Sequence, residues 1–319
     1  MTPEQRHSAG DALARVEASL DPSHPQRSGL RVLAYGEISA ALLISDEPAL
    51  VGIVAKRMAG FRDAADAAGY VALLREYLAR LGALGVATLP TEPITIARPG
   101  AGPTVYLLQP QVAADKLGNH VLLAFPDDGL RVAIGAVLDT VATVLTANKA
   151  NPDDQISIDA QLSNWAFDGG PTPTLIDVGT PFIRRRGQHA FDQEILLSAV
   201  PPGIRAYYRR KGTAAQYMDD YFDARLIAVD LLGNFIKEGA AARLPLGLGV
   251  VNEWLNGPAA GLPQSGTPRG PVTEAEVAAY YEQDAATLEL FLRVRRVDRG
   301  LRRLLRRPYD FILPGPVSR

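Results

Sequence analysis

The chain has 319 residues, of which 47% are apolar and 21% are charged, and its formal net charge is −2. This balance is typical of a globular protein and excludes a nucleic-acid binder driven by a charged tail. The chain has no cysteine, which excludes a disulfide scaffold, a thiol nucleophile and a cysteine-ligated metal cluster. At this length we expect two lobes that share one core.

The N-terminal stretch MTPEQRHSAGDALARVEASL predicts a short amphipathic helix. It lacks the basic start and apolar segment of a secretory signal, so we expect a cytoplasmic protein. The longest apolar region, residues 131–145, is interrupted by Asp139 and is too short to cross a bilayer. We therefore predict a core helix there and no membrane span.

Residues 29–110 predict an antiparallel sheet with one helix. The helix falls at residues 63–85, where apolar side chains recur at helical spacing. Short β-rich runs bounded by turn-forming residues are typical of strands. They occur at residues 31–35, 39–45, 51–58, 93–98 and 104–110. The expected order is three strands, one helix and two strands.

After Gln111 the pattern becomes mainly helical, with helices expected at residues 131–148 and 216–239. Residues 256–270 are rich in Gly, Pro and Ser and predict a loop or a mobile flap. Thr273 and Glu276 then fit a capping box that begins the last helix. We therefore predict an α+β fold with a first lobe at residues 1–112, a hinge near 109–112 and a helical second lobe at residues 113–319.

Three polar side chains lie among turns and short apolar runs in the middle of the chain. Asp159 and Asn164 have the Dx₄N spacing of a kinase catalytic loop, and Asp177 begins a DVG tripeptide after the apolar pair Leu175-Ile176. In phosphoryl transfer, a carboxylate orients the attacking hydroxyl while hard oxygen ligands hold Mg²⁺. The residues 166–174 between the two motifs predict a hairpin turn.

Each of these residues also has an ordinary structural explanation. Asp159 would cap a turn, Asn164 would cap a helix and Asp177 would end a strand. The joint spacing, together with a preceding five-stranded lobe, favours the functional interpretation. Trp165 is expected to pack beneath this loop.

These motifs resemble the protein-kinase-like superfamily, closest in style to aminoglycoside and choline phosphotransferases. The segments IDAQLSNW and LIDVGTP also resemble an uncharacterised bacterial kinase-like family. The resemblance covers roughly residues 30–240 in element order. It implies ATP and Mg²⁺ as cofactors and a small-molecule hydroxyl as the acceptor. It also implies that Asp159 orients the nucleophile while Asn164 and Asp177 hold the metal.

The resemblance gives roles to residues of the first lobe as well. Lys56, in VGIVAKRM, falls at the end of the third strand and would contact the nucleotide phosphates. Glu76 is the favoured carboxylate partner of Lys56, with Asp66 as the alternative nearer the apolar stripe of its helix. Gly36 lies at the first strand-to-strand turn, where a phosphate-covering loop is expected.

Two departures from the kinase pattern leave other functions open. The usual GxGxxG is absent around Gly36, so nucleotidyl transfer remains an alternative ATP chemistry. Ser157 stands where kinases usually have a histidine, which raises the question of loop rigidity. The competing hypothesis is a catalytically silent pseudokinase that acts as a nucleotide sensor or scaffold.

The end of the chain is rich in arginine, at positions 293, 295, 296, 299, 302, 303, 306 and 307. Such a cluster could bind nucleic acid, acidic lipid or another anionic partner. Because Leu301, Leu304 and Leu305 are interleaved, we favour a helix that docks its apolar side and exposes its charges.

Overall fold

The first third of the chain forms an antiparallel five-stranded sheet in the computed structural model, which describes residues 1–169, 172–265, 270–307 and 309–315. The spatial order of the strands is β1-β2-β3-β5-β4. Their bounds are β1 Leu30–Tyr35, β2 Ser39–Ile44, β3 Ile53–Met58, β4 Glu92–Ile96 and β5 Thr104–Pro110. The predicted five-stranded antiparallel sheet is confirmed, and β3 lies at its centre.

The two faces of this sheet bury different partners because side chains alternate along a strand. Helix α1 (Pro3–Ser19) packs on one face, where it buries Ala9, Leu13 and Val16 against Tyr106 and Leu108. Helix α2 (Ala64–Ala83) shares the other hydrophobic cluster with Leu107 and with most of the helical part of the chain. The sheet is therefore sandwiched, and its inner face belongs to the main core.

A buried ion pair fastens α1 to the sheet. Arg57 Nε lies 2.6 Å from Glu17 Oε1, and the two side chains are only 2% and 4% exposed. Tyr106 Oη also donates to Glu17 at 2.7 Å, and Arg57 Nη1 donates to the carbonyl oxygen of Asp310 at 2.6 Å. Helix α1, β3, β5 and the last described segment are thus tied together through two charged groups.

Glu17→Ala is expected to lower the free energy of unfolding by about 3 kcal/mol, because it leaves the Arg57 guanidinium buried and without its carboxylate. Denaturant unfolding of both proteins measures this difference. Glu4→Ala is the control, because Glu4 is an exposed residue of the same helix. Equal denaturation midpoints for Glu17→Ala and Glu4→Ala would contradict a stabilising role for the buried pair of Arg57 and Glu17.

Most of the remaining chain is helical. The helices are α3 Gly118–Ala124, α4 Asp127–Ala150, α5 Gln193–Leu197, α6 Pro202–Lys211, α7 Thr213–Asp219, α8 Ala224–Lys237, α9 Leu244–Asn256 and α10 Glu274–Leu304. Helix α4 contributes nine buried residues to the core and contacts α9, while α8 contacts α10. By length and composition alone α4 could cross a membrane. In this fold it packs as the core helix that the sequence predicts.

Two small sheets lie between α4 and α5. The first has the order β10-β9-β6 and the second pairs β7 with β8. Their bounds are β6 Asp154–Ile156, β7 Trp165–Ala166, β8 Thr174–Leu175, β9 Ile183–Arg185 and β10 Gln188–His189. They hold the segments that carry the Asp159 and Asp177 motifs.

The predicted loop at 256–270 lies partly outside the described residues, since 266–269 are not among them. Its described beginning is tied to α8, because Ala224 N donates to the Pro263 carbonyl oxygen at 2.8 Å. Half of the predicted capping box forms at α10, where Thr273 Oγ1 accepts from Glu276 N at 3.2 Å. The Glu276 side chain instead pairs with Arg225 at 2.7 Å.

The prediction that the arginine-rich helix docks its leucines is wrong. Helix α10 buries Leu292, Arg295 and Asp298 in its second half. The interleaved leucines lie on a different side of the helix and are 55–79% exposed; they are Leu301, Leu304 and Leu305. Composition predicted an amphipathic helix, but the direction in which that helix turns toward the core was decided by its packing.

Candidate active site

The two motifs of the central region lie side by side because a hairpin joins them. Trp165 of β7 pairs with Leu175 of β8 in antiparallel register. Just beyond this pair, the Asn164 carbonyl oxygen accepts hydrogen bonds from Ile176 N at 2.9 Å and Asp177 N at 3.4 Å. The predicted turn includes residues 170 and 171, which lie outside the described residues. Backbone pairing therefore brings Asn164 and Asp177 together.

Buried side chains of the core hold the loop around Asp159 in place. Trp165 is fully buried, as expected from the sequence, and its Nε1 donates to the Asp159 carbonyl oxygen at 3.1 Å. Ser157 is also buried, and its carbonyl oxygen accepts from Tyr77 Oη at 2.6 Å. Its hydroxyl donates to the Tyr221 carbonyl oxygen. Ser157 thus anchors the loop that carries Asp159 through both its carbonyl oxygen and its hydroxyl.

Lys56 and Asp177 meet across 121 positions of sequence. Lys56 Nζ lies 2.6 Å from Asp177 Oδ1, which also accepts from Gly179 N at 3.0 Å. A Cβ atom at residue 179 would stand 3.0 Å from Lys56 Nζ, so the small residue leaves space for the ammonium group. The DVG tripeptide and the central strand thus form one polar site.

The two aspartates of the site differ in how readily they ionise. Burial raises the pKa of Asp159 to about 8, and the nearby Asp230 carboxylate adds to this rise. Burial also acts to raise the pKa of Asp177, but the Lys56 ammonium more than offsets it, so the pKa falls below its ordinary value. Two carboxyl groups whose pKa values are shifted in opposite directions can hold different protonation states at the same pH. Protein surrounds Asp159 on most sides, although part of its surface remains exposed.

Sequence reasoning missed four residues around Asp159. Gln161 Nε2 donates to both oxygens of Asp230 at 3.0 Å, and Gln161 Oε1 accepts from Lys237 Nζ at 3.0 Å. Tyr280 Oη donates to Asp230 at 2.7 Å. Asp230 and Lys237 lie seven residues apart on α8, a spacing that places them on one helix face. That spacing was the available signal, but nothing in the sequence showed which face α8 turns toward Asp159.

The predicted partner of Lys56 is elsewhere. Glu76 pairs with Arg185 of β9 and, at 3.5 Å, with Arg80, while the alternative Asp66 pairs with Arg62 at 2.5 Å. Neither carboxylate contacts Lys56: Glu76 lies off the buried face of α2, and Asp66, in the first turn of the helix, is held by the backbone and side chain of Arg62. The prediction that Glu76 pairs with Lys56 was based on spacing along the chain, whereas the rotation of α2 about its axis decides which of its side chains face the sheet.

A tyrosine contacts the DVG segment from α2 where a carboxylate was expected. Tyr70 Oη lies 2.9 Å from the Gly179 carbonyl oxygen, to which it donates, and 2.8 Å from Met58 Sδ. Tyr70 is buried together with Leu74 and Tyr77 on the same side of the helix. Helix α2 therefore positions the DVG backbone directly through a neutral group.

Gly36 closes the β1–β2 hairpin. Its amide donates to the Ser39 carbonyl oxygen at 2.9 Å, and a Cβ at this position would stand 2.5 Å from Ser39 Oγ. No contact among the described residues joins Gly36 to Lys56, Asp159 or Asp177. The structure thus gives Gly36 a turn-forming place, and its predicted role beside phosphates stays a prediction.

The oxygen donors of the site suit a hard divalent cation. Asp177 Oδ1 is engaged by Lys56 and Gly179, so Oδ2 remains available, and the Asn164 amide has no side-chain partner among the described residues. No group of three His, Asp or Glu side chains in the described part of the chain could hold a metal by itself. The donor set fits Mg²⁺ that arrives with phosphate oxygens as further ligands.

Comparison with known proteins assigns the chain to a family but gives no function. Residues 26–299 match the model described as "Family of unknown function (DUF6206)", so the chain belongs to this family. No curated protein matches it. A solved structure titled "WaaP in complex with acyl carrier protein" contains a similar chain, with 13% sequence identity. The match covers 86% of this chain and 96% of that chain, with a TM-score of 0.31.

Proposed function

We propose that this protein is an Mg-ATP-dependent phosphotransferase with a two-lobed, protein-kinase-like fold, and that it acts on a hydroxyl of a small molecule. The single observation that carries the proposal is the contact between Lys56 and Asp177, with Asp159 near enough for the charge of Asp177 to help raise its pKa, so that the pKa values of the two carboxyls shift in opposite directions. These groups come from a strand of the sheet, a loop after α4 and a segment after β8. An ion pair between Lys56 and Asp177 that served only to stabilise the fold would not need a second carboxyl group, that of Asp159, with a raised pKa nearby.

The proposed roles follow from charge. Lys56 would position the phosphates, Asp177 and Asn164 would hold Mg²⁺, and Asp159 would accept the proton of the attacking hydroxyl. When bound, Mg²⁺ neutralises phosphate charge. The present contact between Lys56 and Asp177 would then be replaced, because the nucleotide offers the ammonium a phosphate and the carboxylate a cation.

The cleft between the proposed lobes is where the nucleotide would lie. Gln109, near the end of β5, donates from Nε2 to the Ile176 carbonyl oxygen at 2.8 Å. Leu175 N donates to the Ala87 carbonyl oxygen at 2.9 Å, and Leu89 N donates to the Leu175 carbonyl oxygen at 2.9 Å. These bonds link the sheet region to the strand before Asp177, so they would fix the distance from Lys56 to the metal ligands.

The alternative is a silent nucleotide sensor. Two observations favour it: Glu76 lies away from Lys56, and the β1–β2 turn has only Gly36 in place of a glycine-rich loop. Nucleotidyl transfer is a further alternative, since phosphate placement decides which phosphorus is attacked. Both share the nucleotide site with the main proposal and differ in what happens after binding.

Thermal unfolding with nucleotide tests the proposal. Mg-ATP and Mg-ADP are expected to raise the melting temperature, because a ligand at a hundred times its Kd stabilises the folded state by about 2.7 kcal/mol. ATP with EDTA is expected to stabilise less. ATP consumption with a panel of hydroxyl-bearing metabolites, with ADP or AMP identified as product, then separates the alternatives. Absence of Mg-dependent stabilisation would reject all of them, and binding without turnover would favour the sensor.

A further inference from the structure

The second half of α10 presents an apolar stripe to solvent. Its members recur at intervals of seven, four and three residues, which places them on one side of the helix. They are Leu290, Val297, Leu301 and Leu304, with exposed fractions of 53%, 60%, 55% and 79%. Leu305 extends the stripe and is 62% exposed. We name this stripe with its neighbouring arginines the Leu/Arg face.

The charge of this last part of the helix is almost entirely positive. Residues 290–307 contain eight arginines and one acidic residue, Asp298, which pairs with Arg302 at 2.9 Å. Within the described part of the chain, seven of the arginines take part in no ion pair, and two of these, Arg295 and Arg296, donate to backbone carbonyl oxygens instead. The other five are Arg293, Arg299, Arg303, Arg306 and Arg307. Arg293 lies beside the stripe on the helix, and the exposed Arg306 and Arg307 follow Leu305 at its end, whereas Arg299 and Arg303 lie on other sides of the helix. The Leu/Arg face thus combines exposed leucines with three guanidinium groups that lack a carboxylate.

The fold holds this face outward. On the other side of the helix, Arg295 is 2% exposed, and its Nη1 donates to the Glu37 carbonyl oxygen at 2.5 Å. Arg295 also lies over the Phe311 ring, with 5.0 Å from Cζ to the ring centroid. The helix therefore cannot roll to bury its leucines without breaking contacts to the β1–β2 turn and to the last described segment.

We propose that the Leu/Arg face docks on an anionic lipid surface, with the leucines entering the boundary between headgroups and acyl chains and the arginines binding lipid phosphates. An interfacial helix needs both an apolar face and flanking cations, and both are present here. Arginine stems can lie along the apolar boundary while their guanidinium groups reach the phosphates. This proposal does not depend on the phosphotransferase activity.

Two other binding partners fit the Leu/Arg face less well than an anionic lipid surface does. A second copy of the chain docked face to face would place arginines against arginines, which is unfavourable in a desolvated contact. RNA would satisfy the guanidinium groups but would leave the exposed leucines and Val297 in water. An anionic lipid surface satisfies both components of the Leu/Arg face.

Co-sedimentation of the full chain with lipid vesicles tests the proposal. We expect binding to vesicles of phosphatidylcholine and phosphatidylglycerol at low salt and at least about tenfold weaker binding to phosphatidylcholine alone. Val297→Glu combined with Leu301→Glu is expected to weaken binding to the anionic vesicles by about tenfold or more. Val132→Glu is the matched control, because Val132 is an exposed valine on another helix, 69% exposed against 60% for Val297.

A second variant separates charge from apolar insertion. Arg306→Gln with Arg307→Gln keeps the leucines and is expected to weaken binding to anionic vesicles only. Circular dichroism and melting temperatures should match wild type for every variant, since the substituted positions are exposed. Absence of vesicle binding, or equal effects of the Val297/Leu301 and Val132 variants, would overturn the proposal. So would a dimer that the Val297/Leu301 variant dissociates, or tight RNA binding without lipid binding.

Discussion

Asp159→Asn is expected to abolish turnover while leaving Mg-nucleotide binding in place. The amide has nearly the same shape and can still accept the hydrogen bond that Gln161 N donates to Asp159 Oδ1 at 2.8 Å, but it cannot take a proton. Loss of a general base typically costs about 10²–10⁴ in rate. ATP consumption with the hydroxyl-bearing panel measures turnover, and thermal stabilisation by Mg-ADP measures binding.

The control for this variant is Asp115→Asn, because Asp115 is exposed. It is expected to retain wild-type turnover. If Asp159→Asn keeps more than about a tenth of the wild-type rate, Asp159 is not the base. Loss of Mg-ADP binding in Asp159→Asn would instead place Asp159 among the nucleotide-binding groups.

The same carboxyl predicts a pH dependence of activity. Because the pKa of Asp159 is raised to about 8, its basic form is the minor one at neutral pH. We expect kcat/KM for the acceptor to rise with pH and to level off above about 8, since this ratio reports ionisations of the free enzyme. A flat profile between pH 6 and 9 would contradict a general base with this pKa.

The raised pKa of Asp159 has opposite consequences for stability and activity: stability is expected to fall as the pH rises, whereas activity is expected to rise. The folded chain keeps the Asp159 proton up to a pH of about 8, whereas the unfolded chain releases it near the ordinary value of 3.8. Stability therefore falls as the pH rises through this window. Asp159→Asn is expected to be more stable than wild type above pH 8, by on the order of 2 kcal/mol after allowance for partial exposure. The difference should disappear below pH 4.

The second large effect concerns Lys56 and Asp177. Lys56→Met and Asp177→Asn are each expected to abolish stabilisation by Mg-ATP, because one removes the phosphate contact and the other a metal ligand. Each single change should also cost about 1–2 kcal/mol of stability, less than a fully buried pair would cost. The expected loss of stability is smaller because the side chains of Lys56 and Asp177 are 18% and 41% exposed, so that solvent screens their interaction.

The double variant distinguishes structure from function. With both charges removed, no unpaired ion is left, so Lys56→Met with Asp177→Asn should recover most of the lost stability. It should still fail to bind Mg-ATP. Lys116→Met is the control, since Lys116 is exposed. If the double variant, or either single variant, binds Mg-ATP as wild type does, the pair is a structural ion pair and the nucleotide site lies elsewhere.

Spacing and alternation in the sequence determined the five strands and the helix between the third and fourth, and motif spacing singled out Lys56, Asp159 and Asp177, whose roles stay predictions. These are local properties, because a strand period, a turn residue or a motif is written into neighbouring positions. The hairpin between Asn164 and Asp177 was predictable for the same reason. The likeness to kinases added expected roles for these residues, which the experiments above test.

Tertiary structure alone decided which side chains face the site. Tyr70 rather than Glu76 contacts the DVG segment, and α8 brings Asp230 and Lys237 beside Gln161. It also decided that α10 buries Arg295 and exposes its leucines. The physical reason is the same in each case: the sequence fixes the angular period of a helix, but its rotation about its own axis is set by the surfaces that it packs against.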